Sequence, residues 1–162
     1  MSPPEIWGPP IWKFLHTLAE KIQEDKYPTL SAGLIFHIRR IVAYLPCPDC
    51  SRHASSFFSK LPPNKIKTKT DLKNALFVLH NLVNQRKRKP LAEISILDTY
   101  REKTVVQTYE EFIRVYKTRG NMKLLTESFQ RQLVVSGLKK WLLNNIRSCL
   151  LYTSDAADEA SS

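Results

Sequence analysis

The sequence predicts an all-α protein, and three observations lead to that prediction. Apolar residues recur three or four positions apart through most of the chain, which is the spacing of one face of an α-helix. Only 4 of the 162 residues are glycine, which disfavours a turn-rich β fold. The apolar fraction of 43% is that of a globular protein, and the length is enough for one sizeable core.

The first two helices are predicted from their apolar spacing and their start signals. Pro9 and Pro10 open the first helix, because proline fits the first turn, where its missing N–H is not needed. The apolar positions of this helix continue to Ile22. Ser31 caps a second helix, whose apolar positions end at Leu45.

Two more helices follow in the middle of the chain. A short third helix is predicted to begin around Cys47 and to end at the proline pair that starts at Pro62. After a loop rich in lysine and threonine, Thr70 or Asp71 caps a fourth helix. The basic segment 85–90 ends this fourth helix.

The last part of the chain is also predicted to be helical. One helix ends near Tyr116, Gly120 breaks the chain, and one or two amphipathic helices follow over residues 122–147. We therefore expect a compact domain over residues 3–118 and a helical C-terminal extension over residues 119–148.

Residues 149–162 form a tail of a different kind. The tail begins Cys-Leu-Leu-Tyr-Thr-Ser-Asp-Ala-Ala-Asp-Glu, which resembles the in-frame translation of a transposase sequencing adapter. The alternative is a genuine acidic tail of small residues. On the adapter interpretation the native sequence stops near Ser148 and the gene continues beyond it, so Cys149 is excluded from the chemistry.

Composition and charge exclude several classes of protein. A formal charge of +10 and a pI of about 9.7 suit a polyanionic partner, such as nucleic acid or the phosphates of a cofactor. Three cysteines cannot close a complete disulfide scaffold, which excludes a small disulfide-stapled secreted protein. The N-terminus does not have the pattern of a signal peptide, and no apolar stretch reaches the roughly 18 residues of a membrane span. We therefore expect an intracellular protein.

The strongest local motif is the Cys-x-x-Cys pair formed by Cys47 and Cys50. At the start of a helix such a pair lies near unpaired N–H groups and the positive end of the helix dipole, which favours a thiolate and redox chemistry. The same residues, with His53 and His80, also have a spacing compatible with a zinc site. Buried cysteines without chemistry are the third alternative that spacing leaves open.

Two further groups of polar and aromatic residues lie on predicted helices. Trp12 and His16 are four residues apart on one face of the first helix, where core packing is the simpler interpretation. His80 and Asn84 occupy one face near the end of the fourth helix, and buried polar groups need partners, which favours a polar ligand there. The basic run 86–89 follows and suits phosphates, although a solvated helix end explains it as well.

Taken together, three segments resemble the Erv/ALR flavin-linked sulfhydryl oxidases in order and spacing. The segments are residues 7–16, 45–53 and 79–84, and the likeness extends over about residues 3–118. The resemblance implies a four-helix bundle with an additional short helix, holding FAD beside the cysteine pair. It also implies that a zinc module is the weaker alternative, because zinc binding does not need the tryptophans and histidine of residues 7–16.

The resemblance also assigns roles to individual residues. Cys50 matches the cysteine beside the flavin, and Cys47 matches the outer cysteine, which an incoming substrate thiolate attacks. The FAD site that it implies consists of Gly8, Trp12, His16, Cys50, His80, Asn81, Val83, Asn84, Lys87, Lys89 and Tyr100. The role of His53 stays open, and no metal belongs to this site.

The implied activity is a thiol oxidase that forms disulfides in protein substrates. Electrons would pass from Cys47 and Cys50 to FAD and then to dioxygen, releasing hydrogen peroxide. The partners expected are protein dithiols or a thiol carrier protein, dioxygen and a second copy of the chain, with neither nucleic acid nor membrane. Because no second cysteine pair is present once Cys149 is excluded, the chain is most similar to the minimal enzymes of large cytoplasmic DNA viruses. The expected location is then the host cytoplasm or the virion.

Overall fold

The computed structural model describes residues 4–117 and 125–147. These residues are mostly helical and contain no β-strand, which confirms the all-α prediction. A short 3₁₀ turn, Pro63–Lys65, precedes the fourth helix, and a longer 3₁₀ segment, Ile94–Glu102, follows it. The α-helices are α1 (Pro4–Lys21), α2 (Tyr27–Ala43), α3 (Pro48–Lys60), α4 (Lys69–Arg86), α5 (Val105–Tyr116) and α6 (Leu125–Asn145).

Helix α1 lies at the centre of the bundle. It packs against α4, α5 and the 3₁₀ segment, while α2 packs against α3 and α6. Phe14 of α1 is fully buried and stacks on Phe112 of α5, with 4.7 Å between the ring centroids. Burial of side chains of this size contributes roughly 1.5–3 kcal/mol each, so the amphipathic face of α1 holds the bundle together.

Helix α1 begins earlier than its sequence predicts. Pro9 and Pro10 lie inside the helix, which starts at Pro4. Neither proline can donate to the carbonyl four residues before it, so the carbonyl groups of Glu5 and Ile6 lose their helical hydrogen bonds. Both of those residues are exposed, and water can satisfy their carbonyl groups.

The starts of α2 and α4 also differ from the prediction. Helix α2 begins at Tyr27 with a proline in its first turn, so Ser31 lies within the helix and does not cap it. Helix α4 is capped by Thr68, not by Thr70 or Asp71. The Thr68 hydroxyl accepts from the Asp71 N–H, and the Asp71 carboxylate accepts from the Thr68 N–H, each at 3.1 Å. Asp71 therefore completes a capping box as its third helical residue.

Helix α6 packs closely on α2 because each helix carries a glycine at the contact. A Cβ added to Gly33 would lie 2.7 Å from Nε1 of Trp141, and one added to Gly137 would lie 3.1 Å from an Nη atom of Arg40. Val134 and Leu138 of α6 are fully buried in the same hydrophobic core as α1 and α2. The expected domain boundary at residues 119–120 and the tail from residue 149, with Cys149, lie outside the described residues.

Across the two described ranges, no helix combines the length and the apolar character that crossing a membrane requires.

Candidate redox and cofactor site

The cysteine pair lies at the N-terminus of α3 and is joined as a disulfide, with the two Cα atoms 5.2 Å apart. Cys47 is the N-cap residue, and its Sγ accepts a hydrogen bond from the Cys50 N–H at 3.3 Å. Ser51 anchors the same turn: its N–H donates to the Cys47 carbonyl at 3.0 Å, and its hydroxyl accepts from the Leu45 N–H at 2.8 Å. A thiolate formed here would be stabilised by the helix N-terminus, as the sequence predicts.

Cys50 faces a narrow apolar cleft of about 40 Å³ between α1, α3 and α4, which we call the cleft. Ala54, one turn after Cys50 on α3, lines it too. The other lining residues are Trp7, Gly8, Ile11, Trp12, Leu15, Val42, Leu45, Val83 and Lys87. The cleft is therefore a largely apolar passage that leads to one sulfur of the disulfide.

A larger cavity of about 350 Å³, which we call the wide pocket, adjoins the cleft. Gly8, Trp12, Val83 and Lys87 line both cavities and form the wall between them. The wide pocket combines aromatic faces with four lysines. Its lining residues are Pro4, Gly8, Pro9, Trp12, Lys13, His80, Val83, Asn84, Lys87, Lys89, Thr99, Tyr100 and Lys103.

A stack of aromatic rings forms one wall of the wide pocket. Trp12 lies parallel to His80 with 4.1 Å between the ring centroids, and His16 stacks on Tyr100 at 4.7 Å. Nε2 of His16 and Nδ1 of His80 share a hydrogen bond of 3.0 Å. Burial, together with the neighbouring His80, lowers the pKa of His16 to about 3. Burial and the ammonium groups of Lys89 and Lys87 lower the pKa of His80 to about 4. Both rings are therefore neutral at pH 7.

The turn that ends α4 places two lysines at the rim of the wide pocket. Arg88 adopts a left-handed conformation with φ of 57°. The Arg88 N–H donates to the Gln85 carbonyl at 3.1 Å, and the Lys89 N–H donates to the Asn84 carbonyl at 2.8 Å, which together form a Schellman motif. Burial first, and then the neighbouring Lys89, lower the pKa of Lys87. An anion bound between these lysines would relieve their mutual repulsion.

Asn81 plays a different part from its neighbours on α4. Its amide Nδ2 donates to the Ala92 carbonyl at 3.0 Å, and its Oδ1 accepts from the Ala92 N–H at 2.9 Å. Oδ1 also accepts from Nδ2 of Asn84 at 3.3 Å. Asn81 therefore ties the loop after the basic turn to α4 and does not line the wide pocket.

The structure brings most of the predicted cofactor residues together. His16 lies behind the wall formed by His80 and Tyr100, and Cys50 lies at the inner end of the cleft. The predicted residues that line the wide pocket itself are Gly8, Trp12, His80, Val83, Asn84, Lys87, Lys89 and Tyr100.

The alternative zinc set is not assembled in the described part of the chain. Cys47 and Cys50 are bonded to each other, His53 is exposed, and His80 is stacked on Trp12. No group of three or more metal-binding side chains occurs among the described residues.

Several residues of the wide pocket were missed by the sequence prediction. Lys13 and Lys103 line it, and Lys13 is oriented by an ion pair with Glu111 of α5 at 3.1 Å. Lys13 directly follows Trp12 on an amphipathic helix, and this position indicates a pocket residue only when the location of the pocket is already known. Lys103 follows the 3₁₀ segment, whose position depends on contacts with α1 that the local sequence does not reveal.

Fold and site together define an all-α thiol–disulfide redox protein. The family model of the Erv1/Alr family matches residues 9–110, and the chain belongs to this family, which is a family of thiol oxidases. The chain is similar to proteins named FAD-linked sulfhydryl oxidase from African swine fever virus isolates of Kenya, Namibia and Malawi. Each is 29% identical over 109 residues, which cover 64% of this chain and 87% of the relative. No solved structure gives a significant match.

Proposed function

We propose that the protein is an FAD-dependent thiol oxidase that forms disulfides in protein substrates. The observation that carries the proposal is the adjacency of the cavities: the cleft beside Cys50 shares four lining residues with a pocket that has aromatic walls and a lysine rim. The names of the viral relatives support the same cofactor and the same activity. Membership of the Erv1/Alr family supports a dithiol substrate.

The residues of the two cavities fit FAD. Apart from its chain neighbours and the backbone of its own helix, a Cβ added to Gly8 would meet no atom within 4 Å, so this buried position borders open space. Trp7 lines the cleft, and its buried Nε1 has no hydrogen-bond partner among the described residues, so it is available to a polar ring edge. Flat rings would pack on Trp12 and His80, and a diphosphate would pair with Lys87 and Lys89.

The cysteine pair supports thiol–disulfide exchange. A substrate thiolate attacks Sγ of Cys47, the bond between Cys47 and Cys50 breaks, and Cys50 leaves as a thiolate. The second substrate thiolate then attacks the substrate sulfur of the mixed disulfide, which forms the substrate disulfide and releases Cys47 as a thiolate. The Cys50 N–H already points to Sγ of Cys47, so the helix N-terminus stabilises the charge when Cys47 leaves.

FAD, when bound, supplies the two-electron acceptor that restores the disulfide, and dioxygen then takes the electrons to give hydrogen peroxide. The chain provides the surroundings for this step. Leu15, Val42 and Val83 line the cleft with apolar groups and exclude water from the approach to Cys50. Neutral His16 and His80 add no positive charge to the pocket, so its cationic character comes from the lysines.

The remaining expectations complete the proposal. The substrates are protein dithiols, reached directly or through a thiol carrier protein, and the working unit is a homodimer. The viral relatives favour action in the cytoplasm of an infected cell or in the virion. Sedimentation of the purified protein tests the dimer.

The direct test of the proposal is the composition and activity of the purified protein. We expect a yellow protein with one FAD per chain that oxidises dithiothreitol and releases one hydrogen peroxide for each dithiol. A colourless preparation that contains stoichiometric zinc and leaves dithiothreitol reduced would overturn the proposal in favour of the zinc module.

A further inference from the structure

A second depression lies beside the turn that carries the disulfide: Pro48 and Ser51 line it, whereas neither cysteine does. It has a volume of about 290 Å³ and lies between the end of α2, the start of α3 and the first turn of α6; we call it the outer groove. Pro48, Ser51, Arg52 and Ser55 line it, at spacings of three and four residues, which places them on one face of α3. Cys50 and Ala54 line the cleft on the neighbouring face. Helix α3 therefore has a cofactor face and an outer face.

Cys47 immediately precedes Pro48, which lines the outer groove, although Cys47 itself does not line it. The carbonyl of Cys47 accepts from the N–H of Ser51. Ser51 and Leu45 both line the outer groove. A chain segment in the outer groove would therefore run alongside the Cys47 turn without entering the cleft.

Helix α6 contributes a wall of the outer groove through Glu127. Helix α6 packs on α2 with Gly33 close to Trp141, and Glu127 lies in the first turn of the same helix. The family match ends at residue 110, and Glu127 lies beyond it. The family match therefore does not include the residue that forms this wall.

One positive and one negative side chain line the outer groove. The positive one, Arg52, is already ion-paired with Asp49 one turn earlier on α3. Glu127 forms no ion pair within the described residues. Arg131, one turn further along α6, is only 2% exposed, so a ligand in the groove meets the Glu127 carboxylate first. The floor formed by Leu45 and Tyr44 is largely apolar.

We infer that the outer groove is the docking site for the substrate polypeptide, and that Glu127 selects segments with a lysine or arginine next to the reactive cysteine. The inference rests on the proposed thiol oxidase function and names its substrate class. The apolar floor takes a side chain of an extended segment, and Glu127 pairs with the basic side chain. Dithiothreitol is small and carries no charge of this kind, so it reaches Cys47 without the groove.

The test compares two dithiol peptides that are identical except for a lysine or a glutamate before the first cysteine, with dithiothreitol as a third substrate. We expect wild-type kcat/KM to favour the lysine peptide by about fivefold, the scale of one partly exposed ion pair. Glu127→Gln abolishes the preference and Glu127→Lys reverses it. Ser55→Trp, which fills the groove, slows both peptides. All variants oxidise dithiothreitol at the wild-type rate.

The matched control is Glu110→Lys, which makes the same change of charge at an exposed position of α5 remote from the groove. It keeps the wild-type preference. If Glu127→Lys also keeps that preference while oxidising dithiothreitol normally, the inference is wrong and the oxidase function stands. If wild-type protein fails to oxidise dithiothreitol, the oxidase function itself is wrong.

Discussion

The two faces of α3 border cavities with opposite character. On the cofactor face, the cleft and the wide pocket combine aromatic rings with lysines, including Lys87 and Lys89. On the outer face, the groove carries one ion-paired arginine and the carboxylate of Glu127. A single turn of helix thus places one disulfide between a site suited to a flat anionic ligand and a site suited to a basic polypeptide.

The difference follows from which parts of the chain build each cavity. Most lining residues of the cleft and the wide pocket fall within the family match at residues 9–110, although Pro4, Trp7 and Gly8 precede it. Among the described residues that line the outer groove, Glu127 of α6 is the one that lies beyond the match. Substitutions that affect one face and spare the other test this separation.

The largest effect on one face alone is expected from filling the wide pocket at Gly8. Gly8→Leu should weaken FAD binding by about 10–100-fold, because the leucine side chain would fill the open space beside Gly8 that the proposal gives to FAD. The measurement is FAD titration of apoprotein by flavin fluorescence. Gly8→Ala is the control. Like Gly8→Leu, it places a Cβ before Pro9 and so has the same steric effect on the backbone, but its methyl group fills little of the pocket.

The contrasting substitution is Gly33→Ala, on the α2–α6 contact. Its Cβ would lie 2.7 Å from Trp141, so we expect a loss of about 1–3 kcal/mol in unfolding free energy with unchanged FAD affinity. Weaker FAD binding in Gly33→Ala, or unchanged binding in Gly8→Leu, would contradict the separation of the two faces.

A smaller effect is expected from acid on the cofactor face. His16 is buried with a pKa of about 3, well below the value near 6.5 of an exposed histidine. The unfolded chain takes up the proton first, so the folded state loses stability as pH falls below 6.5 towards 3. The slope from this residue is at most about 1.4 kcal/mol per pH unit.

His16→Gln should therefore flatten the fall in unfolding free energy between pH 7 and 5, as measured by urea denaturation. The exposed His53 provides the control: desolvation and the neighbouring Arg86 and Arg52 lower its pKa too, but its ring is not buried, so His53→Gln should change the slope much less than His16→Gln. An equally steep fall in His16→Gln and wild type would show that the buried ring does not control acid stability.

Much of the cofactor face could be predicted from local sequence. Proline after Cys47 starts a helix with the cysteine at its cap, and the four-residue spacing of Trp12 and His16 places both on one face. The starts of α1 and α2 were predicted too late, since several prolines compete as start signals and tertiary packing decides among them. Tyr27, the first residue of α2, shows such packing: it is buried, and its hydroxyl donates to the Ile66 carbonyl at 2.7 Å.

The outer groove could not have been predicted, because it depends on contacts between distant segments. Glu127 lies in the same groove as residues of α3 because α6 packs on α2, at a contact where each helix carries a glycine. Likewise, the part played by Asn81 depends on the backbone of Ala92, which the spacing of the motif does not specify.

The central claim is that electrons leave the dithiol through Cys50, and flavin reduction without oxygen tests it most directly. Dithiothreitol should bleach the flavin absorbance of wild-type protein, whereas Cys47→Ser and Cys50→Ser should stay yellow and be reduced about 10³-fold more slowly. Both variants should retain FAD, because Trp12 and the lysine rim are intact. Reduction of FAD-loaded Cys50→Ser at the wild-type rate would contradict the account.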